Sequence, residues 1–267
     1  MTPRLQSFRI FIFAPMKYAQ LFFVLALFTA PVLAWSQDDE EPLIPQEDLD
    51  ELLMWMVDGK YEKVLYKAIR YTESDKTDDA PRPYAYMSMA YFRIFESDDP
   101  DFAEDYSNAL KEALKYATKY IKKDKELEHL SEFEEYFDEL RAATISESDM
   151  HIMDEKYTKA KSFYNYLVKL DEEDAGAHLM LGTILWKNRA KRDAGESWEM
   201  AKSLLAEYGD KGLSEVQRNL LRMAVIWTAE TMDTEGMRSD AIEWLNLTAD
   251  YFESDKEFSA VMRSIGG

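Results

Sequence analysis

Residues 175–208 read AGAHLMLGTILWKNRAKRDAGESWEMAKSLLAEY, the clearest helix-pair pattern in the chain. It divides into two helical patterns, about 174–189 and 191–207, which meet at the basic joint Lys187-Asn-Arg189-Ala-Lys191-Arg192. On the second pattern Ala194, Trp198 and Ala201 stand four and seven residues apart and therefore share one face. Gly182 lies twelve residues before Ala194 on the first pattern. Small residues facing each other in this way let two helices cross closely.

The same trio recurs outward in both directions, as Val64/Ala68/Tyr71, Ala113/Ala117/Tyr120, Ala160/Tyr164/Leu167 and Ala241/Leu245/Thr248. Leu52 and Ala229 repeat the role of Gly182, and Gly59 and Gly236 fall five residues before Val64 and Ala241, at the turn of the pair. Hydrophobic periodicity predicts helices near 47–57, 60–74, 83–96, 100–122, 126–144, 149–170, 174–189, 191–207, 214–233, 237–252 and 255–264. Glu-Ser-Asp occurs at 73–75, 96–98, 147–149 and 253–255 and reads each time as a helix stop with capping chemistry for the next helix. The fold expected is all-α, built of antiparallel helix pairs.

These features resemble the tetratricopeptide repeat (TPR) family. Residues 175–208 carry Leu181-Gly182, Leu185, Ala194, Trp198 and Ala201 at the family's spacings, while Asp58-Gly-Lys-Tyr61 and Glu155-Lys-Tyr157 look like starts of its second helix. Successive trios begin 49, 47, 34 and 47 residues apart, and only the 34 is the family's usual period. The region 126–149 has no good match. The resemblance implies a TPR-like α-solenoid over 47–264, whose first helices line a concave binding surface. Counted from Met87-Ser88 and Leu181-Gly182, the partner-facing positions it implies are Ala85, Met89, Phe92 and Arg93, then Leu179, Thr183, Trp186 and Lys187. Methionine and aromatic side chains there suggest an adaptable apolar groove for a peptide or helix; at helical spacing they also suit a buried core.

Composition narrows the function. The chain has 267 residues, only 9 Gly and 8 Pro, and a net charge of −20. Such a field repels nucleic acid, which needs clustered Lys and Arg. With no cysteine there are no disulfides, thiolate metal sites or cysteine nucleophiles. Residues 1–36 combine Arg4, Arg9 and Lys17, no acid, an apolar run from Leu21 to Ala30 and small residues before Gln37. This is the pattern of a secretory signal peptide, and it predicts a periplasmic or secreted protein not inserted in the membrane once the leader is cleaved. Residues 37–46, with Asp38-Asp-Glu-Glu41 and two prolines, read as an acidic flexible tether.

Phosphate-binding glycine loops, a Gly-x-Ser-x-Gly elbow and a His-Glu-x-x-His helix are all missing. His129, His151 and His178 are scattered, and neither Asp98–Asp101 nor Asp171–Asp174 has the ligand order of a calcium loop. No cofactor or metal is expected, and the acidic runs read as helix starts favoured by the dipole. The expectation is an exported, non-catalytic scaffold for proteins or peptides. Two alternatives stay open: a hydrolase or enzyme accessory with groove carboxylates, and an envelope component held by an uncleaved N-terminal helix.

Overall fold

The five trios become the contacts between helices. Of their fifteen residues, all but the partly covered Tyr71 are buried. Leu52, Gly182 and Ala229 are buried opposite them. At Gly182 an added Cβ would strike the Trp198 indole and come 3.1 Å from the Ala194 carbonyl, so the small residue is what permits this crossing.

The computed structural model describes residues 43–124 and 129–267, and these form twelve α-helices with no strand among them. In chain order they are α1 (Gln46–Val57), α2 (Tyr61–Thr72), α3 (Arg82–Glu96), α4 (Pro100–Asp105), α5 (Ala109–Lys123), α6 (Leu130–Met153), α7 (Tyr157–Leu170), α8 (Ala175–Lys187), α9 (Lys191–Tyr208), α10 (Glu215–Thr234), α11 (Arg238–Leu247) and α12 (Lys256–Gly266). A short 3-10 turn, Ala249–Tyr251, follows α11. Sequential neighbours pack as pairs, including α1 on α2, α6 on α7, α8 on α9 and α10 on α11. Alternate helices also touch, α1 with α3, α3 with α5, α8 with α10 and α10 with α12, and α3 reaches α6 as well.

Four of the pairs share one joint. A residue with positive φ stands two positions before the second helix: Gly59 (70°), Glu155 (55°), Arg189 (64°) and Gly236 (81°). The next amide then reaches back five residues, from Lys60 to Trp55, Lys156 to His151, Ala190 to Leu185 and Met237 to Met232, at 2.7–2.9 Å. This left-handed closure satisfies carbonyls that the first helix would otherwise leave open. Glycine enters it without steric cost; Glu155 and Arg189 do not.

Several boundaries differ from the periodicity, among them the expected helix 237–252, which ends at Leu247. The expected helix 100–122 is two helices, because Tyr106 leaves helical geometry (φ −121°, ψ 41°) and places its ring against Phe102 and Tyr91 while its hydroxyl donates to Glu62 at 3.0 Å. The Glu-Ser-Asp at 147–149 does not stop a helix. It lies inside α6, where Ser148 is fully buried by packing and capping chemistry has no terminus to act on. Within the expected tether 37–46, Ile44 is 4% exposed and Gln46 opens α1. The leader and residues 37–42 lie outside the described residues.

Candidate functional site

The groove positions implied by the family resemblance do not share one surface. Phe92 is 1% exposed, packed against Phe95 and edge-on to Tyr136 of α6. Thr183 is fully buried. It bonds to Thr228 of α10 at 2.6 Å, to the Leu179 carbonyl at 3.2 Å and accepts from the Trp198 indole at 3.3 Å. Ala85 and Leu179 are also fully buried. The expectation that these four line an open groove is therefore corrected. The reason is the number of neighbours: α3 is covered by α2, α5 and α6, and α8 by α7, α9 and α10, so the faces that carry these four residues are closed.

Trp186 and Lys187 are half-buried. The Trp186 ring lies on Trp198 with centroids 5.4 Å apart, and the Lys191 ammonium stands 4.3 Å above it. Much of the basic joint is thus satisfied locally, as Arg192 also pairs with Glu196 at 2.9 Å. Met89 is half-buried on α3. Arg93, one turn on, bridges to Glu96 at 2.5 Å and across to Glu139 of α6 at 2.7 Å. That last contact puts Arg93 at the margin of the surface formed by α6.

Two arrangements on α6 were not picked out by sequence reasoning. The first is a polar cluster. Arg141, 8% exposed, lies 2.7 Å from Asp138 and 3.8 Å from both Asp171 and Asp174. The amide of Gln217 donates to Asp171 at 2.7 Å and to Asp174 at 3.4 Å, and the Ser214 hydroxyl donates to Asp138 at 3.0 Å. Asp174 also accepts from the Ala177 amide at 3.0 Å, which caps α8. Burial pushes the Asp174 carboxyl up, against the opposing pull of Arg141 and that amide. The cluster ties α6, the start of α8 and the capped start of α10 together, and its reactive-looking Asp174 is 1% exposed. It acts as a clasp between these elements, and Asp138, Arg141, Asp171 and Gln217 also line an open depression of ≈620 Å³.

The second is a cleft of ≈730 Å³ between α6, α10 and the start of α12. Ile145, Leu220 and Phe252 form its buried apolar floor, and Met223 is partly exposed above them. Asp149, Glu215, Asp255, Arg218 and Arg222 add charge to its lining. Arg218 is held by Asp210 at 2.7 Å, and Arg222 by Glu257 at 2.6 Å with Asp255 at 3.8 Å. Asp149 makes no hydrogen bond or ion pair among the described residues, and burial alone pushes its carboxyl above the usual range. A shallower depression of ≈640 Å³, lined by Ser131, Glu134, Glu135 and Glu139, shares Ala142 and Val216 with the cleft. The two form one trough along α6.

The histidines serve local structure. His151 stacks on Phe163 with centroids 5.8 Å apart and lies 3.6 Å from Glu147, while His178 bonds to the Glu172 carbonyl at 3.1 Å. Asp99 accepts from the Asp101 amide and caps α4, as expected of a helix start, whereas Asp171 stands at the end of α7 and accepts from the Glu173 amide. Among the described residues no cluster of three His, Cys, Asp or Glu is arranged to hold a metal, and no helix is long and apolar enough to cross a membrane. No protein-family model matches the chain, and no curated protein is significantly similar to it.

Proposed function

We propose that this protein is an exported, non-catalytic scaffold that holds proteins or peptides along a surface made by the first helices of stacked, TPR-like pairs. The trough along α6 carries the reading. It is open and long, it has an apolar floor at its deeper end, and two of the helices that border it, α6 and α10, each begin a pair. The four matching joints and the contacts between alternate helices support a solenoid, in which each pair contacts its neighbours. Export rests on the leader-like composition of residues 1–36.

A second reading has one observation in its favour. The raised Asp149 carboxyl shares its cleft with Glu215 and Asp255, as a hydrolase would require. The two readings separate in a crosslinked pull-down from the native cell envelope with the full chain, run beside a hydrolase screen of the purified protein. A reproducible set of recovered proteins with no turnover supports the scaffold. Turnover abolished by Asp149→Asn, with no protein recovered, would replace it with the hydrolase.

A further inference from the structure

We propose that the trough along α6 receives an extended peptide segment bearing an apolar side chain beside a lysine or arginine, the apolar group between Ile145 and Met223 and the cation against Asp149. This rests on the scaffold reading and adds the chemistry of the partner.

Dimensions come first. From Ser131 to Asp149 the α6 surface runs roughly 27 Å at 1.5 Å per residue, which matches about eight residues of extended chain. Ala142, near the middle, and Ser146, at the deeper end, are exposed and allow a backbone to approach. Ile145, Leu220 and Phe252 are buried beneath the deeper end, while Met223 and Tyr251 stay partly exposed and can adjust around an inserted side chain.

Charge selects the occupant. The cleft has two arginines, and both already meet carboxylates: Arg218 meets Asp210, and Arg222 meets Glu257 and Asp255. The Asp255 side chain also caps α12 through the Phe258 amide at 2.7 Å. Two carboxylates, Asp149 and Glu215, line the cleft without a side-chain hydrogen bond or ion pair. Of these, Asp149 lies on α6 beside Ile145 and is the one whose carboxyl burial pushes up. An anionic ligand would be repelled by it and would have to displace an existing pair. A cation would give Asp149 the partner it lacks, and a charge-assisted contact is stronger than a neutral one. The whole chain, at −20, draws the same kind of ligand from a distance.

The test is a fluorescence-polarisation titration of the full chain with a labelled, end-blocked octapeptide, Gly-Ser-Lys-Leu-Lys-Leu-Ser-Gly. Two controls carry glutamate for lysine or serine for leucine. The lysine–leucine peptide binds and neither control does. Asp149→Asn weakens binding by about tenfold or more, and Ala142→Trp, which fills the middle of the trough, removes it. Ser203→Trp, at an exposed position on α9, leaves it unchanged. Helicity and melting of each variant are checked first. Equal binding of the glutamate peptide would overturn the proposal, as would binding indifferent to both trough variants or no binding at millimolar peptide. Self-association abolished by Ala142→Trp would assign the trough to a second copy instead. If envelope partners are recovered equally well with Ala142→Trp, the scaffold stands and this site falls. If neither partners nor peptide bind, both fall.

Discussion

Replacing Gly176 by alanine should break the contact between α8 and α10. A Cβ at this position would lie 2.8 Å from the Leu221 amide nitrogen and 2.9 Å from its Cα, both in the backbone of α10. A side chain could rotate away, but a helix backbone must move as a unit, and α10 is fixed by its capping box at Ser214 and by Gln217 in the Arg141 cluster. Overpacking of this kind costs about 1–3 kcal/mol, and the loss should reach the upper part of that range. At Gly182 the obstacle is the Trp198 indole. Here the clash is relieved by shifting one side chain, and alanine's better helix propensity recovers up to ~1 kcal/mol, so the net loss is smaller. Gly195 has no neighbouring atom within 4 Å, so Gly195→Ala should stabilise by up to ~1 kcal/mol. Thermal melts followed by far-UV circular dichroism read the order directly. A 2 kcal/mol loss lowers Tm by roughly 4–8 °C in a domain of this size. A Gly176→Ala protein melting at or above wild type would refute the packing of α8 on α10 described here.

Arg141→Met leaves Asp138, Asp171 and Asp174 without their cation, and a loss of about 3–5 kcal/mol is expected in guanidinium unfolding; a loss below ~1 kcal/mol would show the cluster to be incidental. Arg189→Gly relieves a left-handed residue at φ 64°, so a gain of up to about 1 kcal/mol is expected in the same assay, whereas Gly236→Ala loses a similar amount. Asp149 has its folded-state pKa raised by burial; ionising it therefore costs stability, a cost absent below the ordinary carboxylate range and growing as pH rises through the folded value. Asp149→Asn should melt above wild type at neutral pH, with the gap closing on acidification through that window, and a gap constant with pH would contradict this.

Much of the architecture is legible in the spacing of small and apolar residues. Ala68, Ala117, Ala160, Ala201 and Ala241 are found by helical periodicity and are all fully buried, because a face with small residues at these intervals can only be used in close helix crossing. Gly59 and Gly236 mark two of the four joints for the same local reason. Glu155 and Arg189 hide the other two, since neither residue type favours a left-handed backbone and only packing imposes it. The site is less legible. Periodicity marks Phe92 and Thr183 as facing away from the second helix of their pair, but it does not say that α6 and α10 cover those faces. Nor does it lead to the trough, whose main helix lies where the repeat pattern fades and whose Asp149 sits within a tripeptide that elsewhere borders helix ends. A cleft among α6, α10 and α12 joins residues up to about a hundred positions apart, and no local spacing carries that information.

The most direct measurement places a photocrosslinking benzoylphenylalanine at Ser146, exposed in the trough, or at Tyr66, which is 72% exposed on α2. Both proteins are expressed in their native cells and irradiated. Discrete protein adducts from position 146, with none from position 66, are what a scaffold working through the surface of its first helices predicts. Adducts from position 66 alone, or none from either while the protein is folded and exported, would contradict it.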